Sequence, residues 1–218
     1  MNKTKIEWTR GPKGEPGYTW NPIKGVCPVG CWYCYSHKIY KRFGMKPKVM
    51  LSVNELIKPF PKKPSRIFVC STFELFHPVA DKWRDDIFEI INVESQHTFI
   101  ILTKMPENID RPMPPNVWLG TTITQFEEYA RKSPLAKART KIKFLSLEPM
   151  LDCIPKVACI GVDWIVIGRL TGHGRKFDPK RKWISDIVEV CKEQKIPVFL
   201  KNNLREIWGA PLIQEFPK

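Results

Sequence analysis

The chain has 218 residues, of which 43% are apolar and 11% aromatic, so it can bury a sizeable core and is not expected to be disordered. No apolar run reaches the roughly 18 residues of a membrane span, and residues 1–10 lack the apolar centre of a signal peptide. We therefore expect a cytoplasmic protein with no membrane partner. Lys and Arg number 36 against 22 Asp and Glu, and residues 1–63 contribute +10 of the net +14. This excess indicates an anionic partner, DNA or RNA first, unless it is only a solvated lysine-rich surface.

Glycine and proline punctuate residues 9–28, which predicts a loop-rich N-terminal segment over residues 1–26. A helix with a basic face is expected next, at 35–43. Short apolar strands are expected at 66–70, 98–102, 117–120, 143–147, 163–168 and 197–200. Helices are expected at 80–92, 125–138 and 183–192. Buried strands that alternate with helices are typical of βα units around a parallel sheet.

The chain has no internal repeat and no low-complexity linker, so residues 1–218 are expected to form a single domain. Polar side chains follow each predicted strand, at the end where both barrels and doubly wound sheets place their sites. The sequence pattern leaves these two architectures open. It contains no G-x-G-x-x-G after a strand and no Walker loop, so neither standard nucleotide site is supported.

Three of the seven cysteines form the motif C-x-x-x-C-x-x-C at Cys27, Cys31 and Cys34. An odd number of cysteines without an export signal favours metal binding or catalysis over a disulfide framework. Three thiolates on one loop can each ligate one iron of a cubane cluster, which leaves a fourth iron open to a reactant. The alternative is a structural zinc site in which His37 is the fourth ligand. Among the other cysteines, Cys70 ends a predicted strand and is expected to approach the site.

This motif, with the aromatic Tyr33 before its last cysteine, resembles the signature of the radical S-adenosylmethionine (radical SAM) superfamily. The longer context resembles a phage-associated radical-SAM-like family of unknown function, which is distantly similar to spore photoproduct lyase. The blocks that carry this resemblance are IEWT (6–9), TWNP (19–22), GC (30–31), CY (34–35), FELF (73–76), HTF (97–99), LTK (102–104), PNVWLG (115–120), FLSLEP (144–149) and DW (163–164). They run in order along nearly the whole chain.

The resemblance implies an α/β fold of the partial (β/α)6-type TIM barrel kind, the radical SAM fold, with the cysteine loop after its first strand. It implies that Cys27, Cys31 and Cys34 hold a [4Fe-4S] cluster whose fourth iron binds S-adenosylmethionine. An electron donor such as flavodoxin or ferredoxin would then allow reductive cleavage to a 5′-deoxyadenosyl radical, which abstracts hydrogen from the substrate. The cofactor supplies the difficult chemistry and the protein supplies positioning.

By position, the resemblance places eight residues near the cofactor: Tyr33, Ser71, Thr72, Glu74, Lys104, Thr121, Thr122 and Glu148. Residues 71–74 would contact the SAM amino group, although Ser71 and Thr72 could instead cap a helix. The lysine suits the SAM carboxylate or a substrate phosphate, or is a surface residue, and Tyr33 packs beside the adenine or in the core. The two threonines would bind ribose or cap a helix.

Glu148 and Lys201 are the candidate catalytic groups, and Glu148 could equally bind SAM hydroxyls or substrate. The chain departs from the family pattern at residues 169–172, at Met105 and at residues 201–203. All three places lie on the expected rim of the site, so substrate specificity transfers least securely from relatives.

Nucleic-acid contacts are expected from two basic groups of residues, Lys38, Lys41 and Arg42 after the cysteine loop, and Arg175, Lys176 and Arg181 near the end. We therefore expect a radical SAM enzyme that modifies or repairs a nucleic acid or nucleotide. One alternative is a radical SAM enzyme that acts on a peptide or small metabolite. The other is a non-enzymatic nucleic-acid-binding protein that contains zinc or a cluster.

Overall fold

The computed structural model describes residues 1–218, which divide into two compact units. The first comprises Met1–Asp110 with Pro114–Val117, and the second comprises Arg111–Met113 with Trp118–Lys218. Both units are α/β, and most of the strand pairs in the chain are parallel, which confirms the predicted class. The single domain and the partial barrel stay predictions.

The first unit contains six strands: β1 (Asn2–Lys3), β2 (Tyr18–Trp20), β3 (Ile23–Lys24), β4 (Met50–Leu51), β5 (Arg66–Val69) and β6 (Thr98–Thr103). Strand β2 pairs in parallel with β5, and β5 pairs in parallel with β6, while β1 runs antiparallel on the outer side of β2. Strands β3 and β4 form a separate antiparallel pair. All four residues of β5 are buried, as expected for a strand covered on both faces.

Three helices belong to the first unit: α1 (Tyr35–Arg42), α2 (Val53–Leu56) and α3 (Asp81–Val93). Helix α3 buries Ile87, Phe88 and Ile91 on one face, which is the 3.6-residue periodicity of an amphipathic helix. Its buried Arg84 pairs with Asp81 and, at 2.8 Å, with Asp110. Burying a guanidinium requires such partners, because an unpaired charge in the interior is costly.

Apart from Val117, the first residue of β7, the second unit contains four strands and three helices: β7 (Val117–Thr122), α4 (Lys132–Lys137), β8 (Ile142–Leu147), β9 (Trp164–Ile167), α5 (Arg181–Glu193), β10 (Val198–Leu200) and α6 (Arg205–Trp208). From β7 to β10 each strand pairs in parallel with the next. Gly120 of β7 lies against the Phe144 ring, and a Cβ there would come within 2.5 Å of ring atoms. Glycine is therefore required at this position by packing rather than by backbone conformation.

The predicted strands all form, with ends that differ by no more than two residues, whereas the N-terminal segment and one helix differ from prediction. Residues 1–26, expected to be loops, also contain β1, β2 and part of the β3–β4 pair. The helix predicted at 125–138 is a 3₁₀ helix, Phe126–Arg131, followed by α4. Pro134 explains this break, because proline cannot donate an i→i−4 hydrogen bond and its ring excludes the preceding α-helical turn. The longest helices have 13 residues, and none is long and apolar enough to cross a membrane.

Candidate active site

The cysteine loop lies between β3 and α1 in the first unit. Cys27, Cys31 and Cys34 are free thiols of intermediate exposure. The Cys34 N–H donates to the Cys31 carbonyl at 3.0 Å, and Cys34 directly precedes the first residue of α1. Gly30 adopts φ +68°, a left-handed conformation that L side chains rarely take. Loop and helix therefore form one continuous element.

The cysteine thiols lie beside residues from two other loops of the same unit. Burial raises the pKa of Cys27, and backbone N–H groups of Val29 and Glu74 that face its sulfur oppose that rise. Burial also raises the pKa of Cys31, and the positive charge of Lys104 opposes it. N–H donors directed at sulfur are one means by which proteins stabilise bound thiolates.

Glu74 is a buried carboxylate, 5% exposed, in the loop that follows β5. Its Oε1 accepts from the Thr103 hydroxyl at 2.6 Å and from the Phe76 N–H at 3.1 Å, and its Oε2 accepts from the Lys104 N–H at 2.8 Å. Burial raises the pKa of Glu74, and these donors oppose that rise. All three neighbours donate, so the arrangement suits the ionised carboxylate and joins the ends of β5 and β6.

Lys104 and Tyr33, both predicted to contact the cofactor, contact each other. The Lys104 ammonium donates to the Tyr33 hydroxyl at 2.8 Å. The Tyr33 ring meets Trp32 edge to face, with 5.4 Å between ring centroids. The lysine is therefore directed at the cysteine loop and does not extend into solvent from the end of β6.

Ser71 and Thr72 attach the end of β5 to the first turn of α1. The Tyr35 hydroxyl donates to the Ser71 carbonyl at 2.6 Å, and the Ser36 hydroxyl donates to the Thr72 carbonyl at 3.3 Å. The Ser71 hydroxyl donates to the Asn21 side-chain oxygen at 3.1 Å. The helix-cap alternative is wrong for both residues, because the helical turn that follows them begins at Pro78 and is capped by His77.

The zinc alternative depends on His37, whose Nε2 lies 3.1 Å from the Cys27 carbonyl oxygen. A ring N–H that donates to a backbone carbonyl is also how metal-binding histidines are oriented, so this contact does not separate zinc from a cluster. No group of three His, Cys, Asp or Glu side chains converges at the spacing that a single metal ion needs, and this includes the loop cysteines.

Cys70 lies at the end of β5 with φ +52°, and it is buried near Cys27 and Glu74. Burial raises the pKa of Cys70 to about 12, so its thiol stays protonated. Cys70 thus lies near the cysteine loop. Cys153, Cys159 and Cys191 belong to the second unit.

In the second unit, predicted site residues lie at the ends of β7, β8 and β10. Thr121 and Thr122 are buried at the end of β7, and neither caps a helix, because Gln125 precedes the next helical turn. Glu148 follows β8, and its carboxylate forms an ion pair with the ammonium of Lys201, which follows β10. These side chains are 23% and 16% exposed, respectively. A Cβ at Gly168, after β9, would come within 2.9 Å of both side chains, so glycine lets the pair form.

Sequence reasoning missed the polar network beside this ion pair. Arg169 pairs with Asp178 at 3.0 Å, and its backbone exchanges two hydrogen bonds with the Asn203 side chain, at 3.2 and 3.1 Å. Arg169 and Asn203 both fall in the segments where the chain departs from the family pattern, so that departure was the available signal. The network fixes the loop after β9 to the loop after β10.

The predicted nucleic-acid-binding residues form two exposed groups, one in each unit. Lys38, Lys41 and Arg42 lie on α1, directly after the cysteine loop. In the second unit Arg175 pairs with Glu206 at 3.5 Å, Lys176 lies 4.9 Å from the Phe177 ring, and Arg181 lies 5.7 Å from the Trp208 ring. The first group also lies beside a ring, because the Arg42 guanidinium is 5.5 Å from the Phe43 ring centroid, so both groups combine cations with aromatic rings.

The amino-acid sequence matches, over residues 3–210, the family described as "Protein of unknown function (DUF5131)". No curated protein and no solved structure matches the chain. The match spans both units and includes every candidate site residue described above in either unit.

Proposed function

The chain belongs to the DUF5131 family, and we propose that it is a radical SAM enzyme that modifies or repairs a nucleic acid or nucleotide. The observation that carries the proposal is the position of the three-cysteine loop in the first unit. Two other loops of this unit contact the cysteine loop and the start of α1. They carry the buried Glu74 and, less deeply buried, Lys104, Ser71 and Thr72. A partial (β/α)6 barrel of the radical SAM type is the architecture that we propose for the whole chain.

Three thiols on one loop are the donor chemistry that a [4Fe-4S] cluster with one open iron requires, and S-adenosylmethionine would bind to that iron. Cys27, Cys31 and Cys34 would each hold one iron, and the N–H groups facing Cys27 stabilise the thiolate form. When bound, the cluster and S-adenosylmethionine would supply a 5′-deoxyadenosyl radical that abstracts a hydrogen atom. The protein's part is to orient the reactants and exclude water.

Several residues of the first unit would bind and orient the cofactor. Lys104 presents a cation beside Cys31 and suits a carboxylate, and Tyr33 fixes the lysine by accepting its hydrogen bond. Glu74 holds the loops after β5 and β6 together, and its carboxylate provides the negative charge that an ammonium group requires.

In the second unit Glu148 and Lys201 would bind substrate or cofactor hydroxyls, and they can also move a proton. The Lys201 Nζ and the Glu148 carboxylate contact each other directly. Thr121 and Thr122, buried at the end of β7, offer hydroxyls for a ribose. Displacing the lysine from its partner would free one charged group of each sign for a polar ligand.

A nucleic-acid substrate is favoured by charge. The first 63 residues carry +10, and exposed cations lie on the helix that begins at the cysteine loop. Polyanions gain affinity from such a surface through release of counterions. A peptide or small metabolite does not require this charge, so salt dependence of substrate binding separates the two substrate classes.

Anaerobic reconstitution with iron and sulfide tests the proposal. We expect bound iron and acid-labile sulfide, and an electron paramagnetic resonance signal of the reduced protein that changes when S-adenosylmethionine is added. With a reductant, 5′-deoxyadenosine should be released. Cys31→Ala should lose iron, signal and product, whereas the matched control Cys153→Ala, an exposed cysteine outside the loop, should keep all three.

Zinc in stoichiometric amount that survives anaerobic reconstitution and is lost in His37→Ala would establish the zinc alternative and refute the proposal. Cluster binding without release of 5′-deoxyadenosine would refute the enzymatic part alone. Product formation that is stimulated by a peptide or metabolite, and not by DNA or RNA, would refute the substrate assignment.

A further inference from the structure

Large aromatic side chains are exposed beside the cysteine loop. Trp32 in the loop, Tyr35 at the start of α1 and Phe43 at its end are 56%, 53% and 67% exposed, and Ile39 between them is 39% exposed. Positions 35, 39 and 43 are four residues apart, so they follow one face of the helix. A protein in water seldom exposes several large apolar side chains on one short segment unless that segment binds something. We refer to these four residues as the aromatic stripe.

The opposite face of α1 holds the stripe in this orientation. Tyr40 is buried, and its hydroxyl accepts from the Gly25 N–H at 2.6 Å. The Ser36 hydroxyl and the His37 ring contact backbone carbonyls of Thr72 and Cys27. Gly25 also packs against the backbone of Lys48 and Val49, which a Cβ at its φ of +111° would approach to within 2.6 Å. The stripe is therefore preorganised, which lowers the entropic cost of binding.

The segment of the chain that carries the stripe has charges of one sign only. Residues 16–54 contain six Lys or Arg and no Asp or Glu. Lys38, Lys41 and Arg42 are exposed on α1 itself, and the Arg42 guanidinium lies 5.5 Å from the Phe43 ring centroid. Cations and flat rings thus alternate on one short element. That combination binds single-stranded nucleic acids, whose phosphates meet the cations while the bases stack on the rings.

We propose that the aromatic stripe binds a single strand of DNA or RNA, with bases stacked on Trp32, Tyr35 and Phe43 and phosphates on Lys38, Lys41 and Arg42. A duplex would present only its phosphates, because its base faces are already stacked. The inference rests on the proposed function in one respect: Trp32 lies between two of the cysteines, so the bound strand is the substrate led to that loop. The binding itself needs no cluster.

The test measures the affinity of the full-length protein for a fluorescently labelled single strand of roughly 12 nucleotides, by anisotropy. The double variant Trp32→Leu/Phe43→Leu keeps apolar area but removes both rings, and we expect affinity to fall about tenfold for each ring. The matched control is Phe126→Leu, an aromatic residue of the second unit that is 50% exposed, and it should bind like the unaltered protein. A strand of the same length made of abasic nucleotides should bind equally to the double variant and to the unaltered protein.

The cations are tested by salt dependence. Lys41→Gln/Arg42→Gln should reduce the slope of log affinity against log salt by about 0.7 for each phosphate that is no longer neutralised. Equal affinity of the double ring variant and the unaltered protein for the single strand would overturn the inference. The inference would also be overturned if the double ring variant lost affinity for an acidic protein, such as a flavodoxin, but kept its affinity for the single strand. Iron and sulfide are assayed in parallel: ring-dependent binding supports the inference at any metal content, whereas missing iron counts against the proposed function alone.

Discussion

The two units hold the polar groups of their candidate sites in different ways. In the first unit the buried Glu74 is held by two backbone N–H groups and one hydroxyl, all of them neutral donors. In the second unit Glu148 and Asp178 are held by the cations Lys201 and Arg169, and all four keep part of their exposure. A carboxylate that has lost its water depends on each fixed donor, whereas partly hydrated ion pairs have water as a substitute partner. We therefore expect the first unit to tolerate substitution less well.

The largest effect is expected at Glu74. Glu74→Ala leaves the Thr103 hydroxyl and the N–H groups of Phe76 and Lys104 buried without their acceptor. We expect the free energy of unfolding to fall by about 3–5 kcal/mol, as for a broken buried charge interaction. Urea unfolding followed by circular dichroism measures this loss.

Glu89→Ala is the matched control, because Glu89 is exposed on α3, and it should change stability by no more than about 0.5 kcal/mol. A loss below about 1 kcal/mol at Glu74 would mean that water replaces the missing acceptor. The contrast between the two units would then disappear.

A smaller effect is expected at the ion pair of the second unit. Lys201→Met or Glu148→Gln alone should lower the free energy of unfolding by about 2 kcal/mol, between the values for exposed and buried pairs. The double variant should lose less than the sum of the two, with a coupling energy of about 1 kcal/mol. A double-mutant cycle in urea gives this coupling, and strictly additive losses would show that the pair does not interact in solution.

The smallest effect is expected at Glu55, the only carboxylate between residues 16 and 73. Burial opposes its ionisation, but hydrogen bonds from the Met1 ammonium and Lys58, together with the charge of Lys24, lower the pKa of Glu55 to about 2. Since the ordinary pKa of 4.5 applies when the chain is unfolded, the stabilisation is complete above about pH 5 and is lost as pH falls toward 2.

Glu55→Gln should therefore cost about 1 kcal/mol at pH 7 and almost nothing near pH 2. Thermal unfolding of both proteins across this pH range checks the prediction, and a difference independent of pH would contradict it. If Glu55→Gln lowered the free energy of unfolding at pH 7 as much as Glu74→Ala does, a carboxylate held by ion pairs would be as sensitive to substitution as one held by neutral donors. The contrast between the two units would then be wrong.

The strands were predictable because buried parallel strands are short continuous apolar runs, as in RIFV of β5 and WIVI of β9. Strand β2 was missed, although Tyr18, Thr19 and Trp20 are residues that favour strands, because glycine and proline on both sides indicated a loop. Its formation depends on pairing with β5, where Ile67 is the partner of Tyr18. Pairing between such distant parts of the chain leaves no local pattern.

The candidate site was predictable residue by residue only in part. The cysteine spacing marked the loop, and polar residues after strands marked Ser71, Glu74, Lys104, Glu148 and Lys201. The sequence did not reveal that Thr103 holds Glu74, that Tyr33 receives the Lys104 ammonium, or that Arg169 joins Asn203. These partners lie between 29 and 71 residues apart.

By itself the amino-acid sequence determined the α/β class, the position of the thiol motif and the excess of positive charge near the N-terminus, since each of these is local or additive along the chain. Only the tertiary structure decided which carboxylates lose their water, which cations find partners, and which rings of α1 stay exposed. Burial and pairing depend on segments that meet through folding, so their energies belong to the folded arrangement and not to any one stretch of residues.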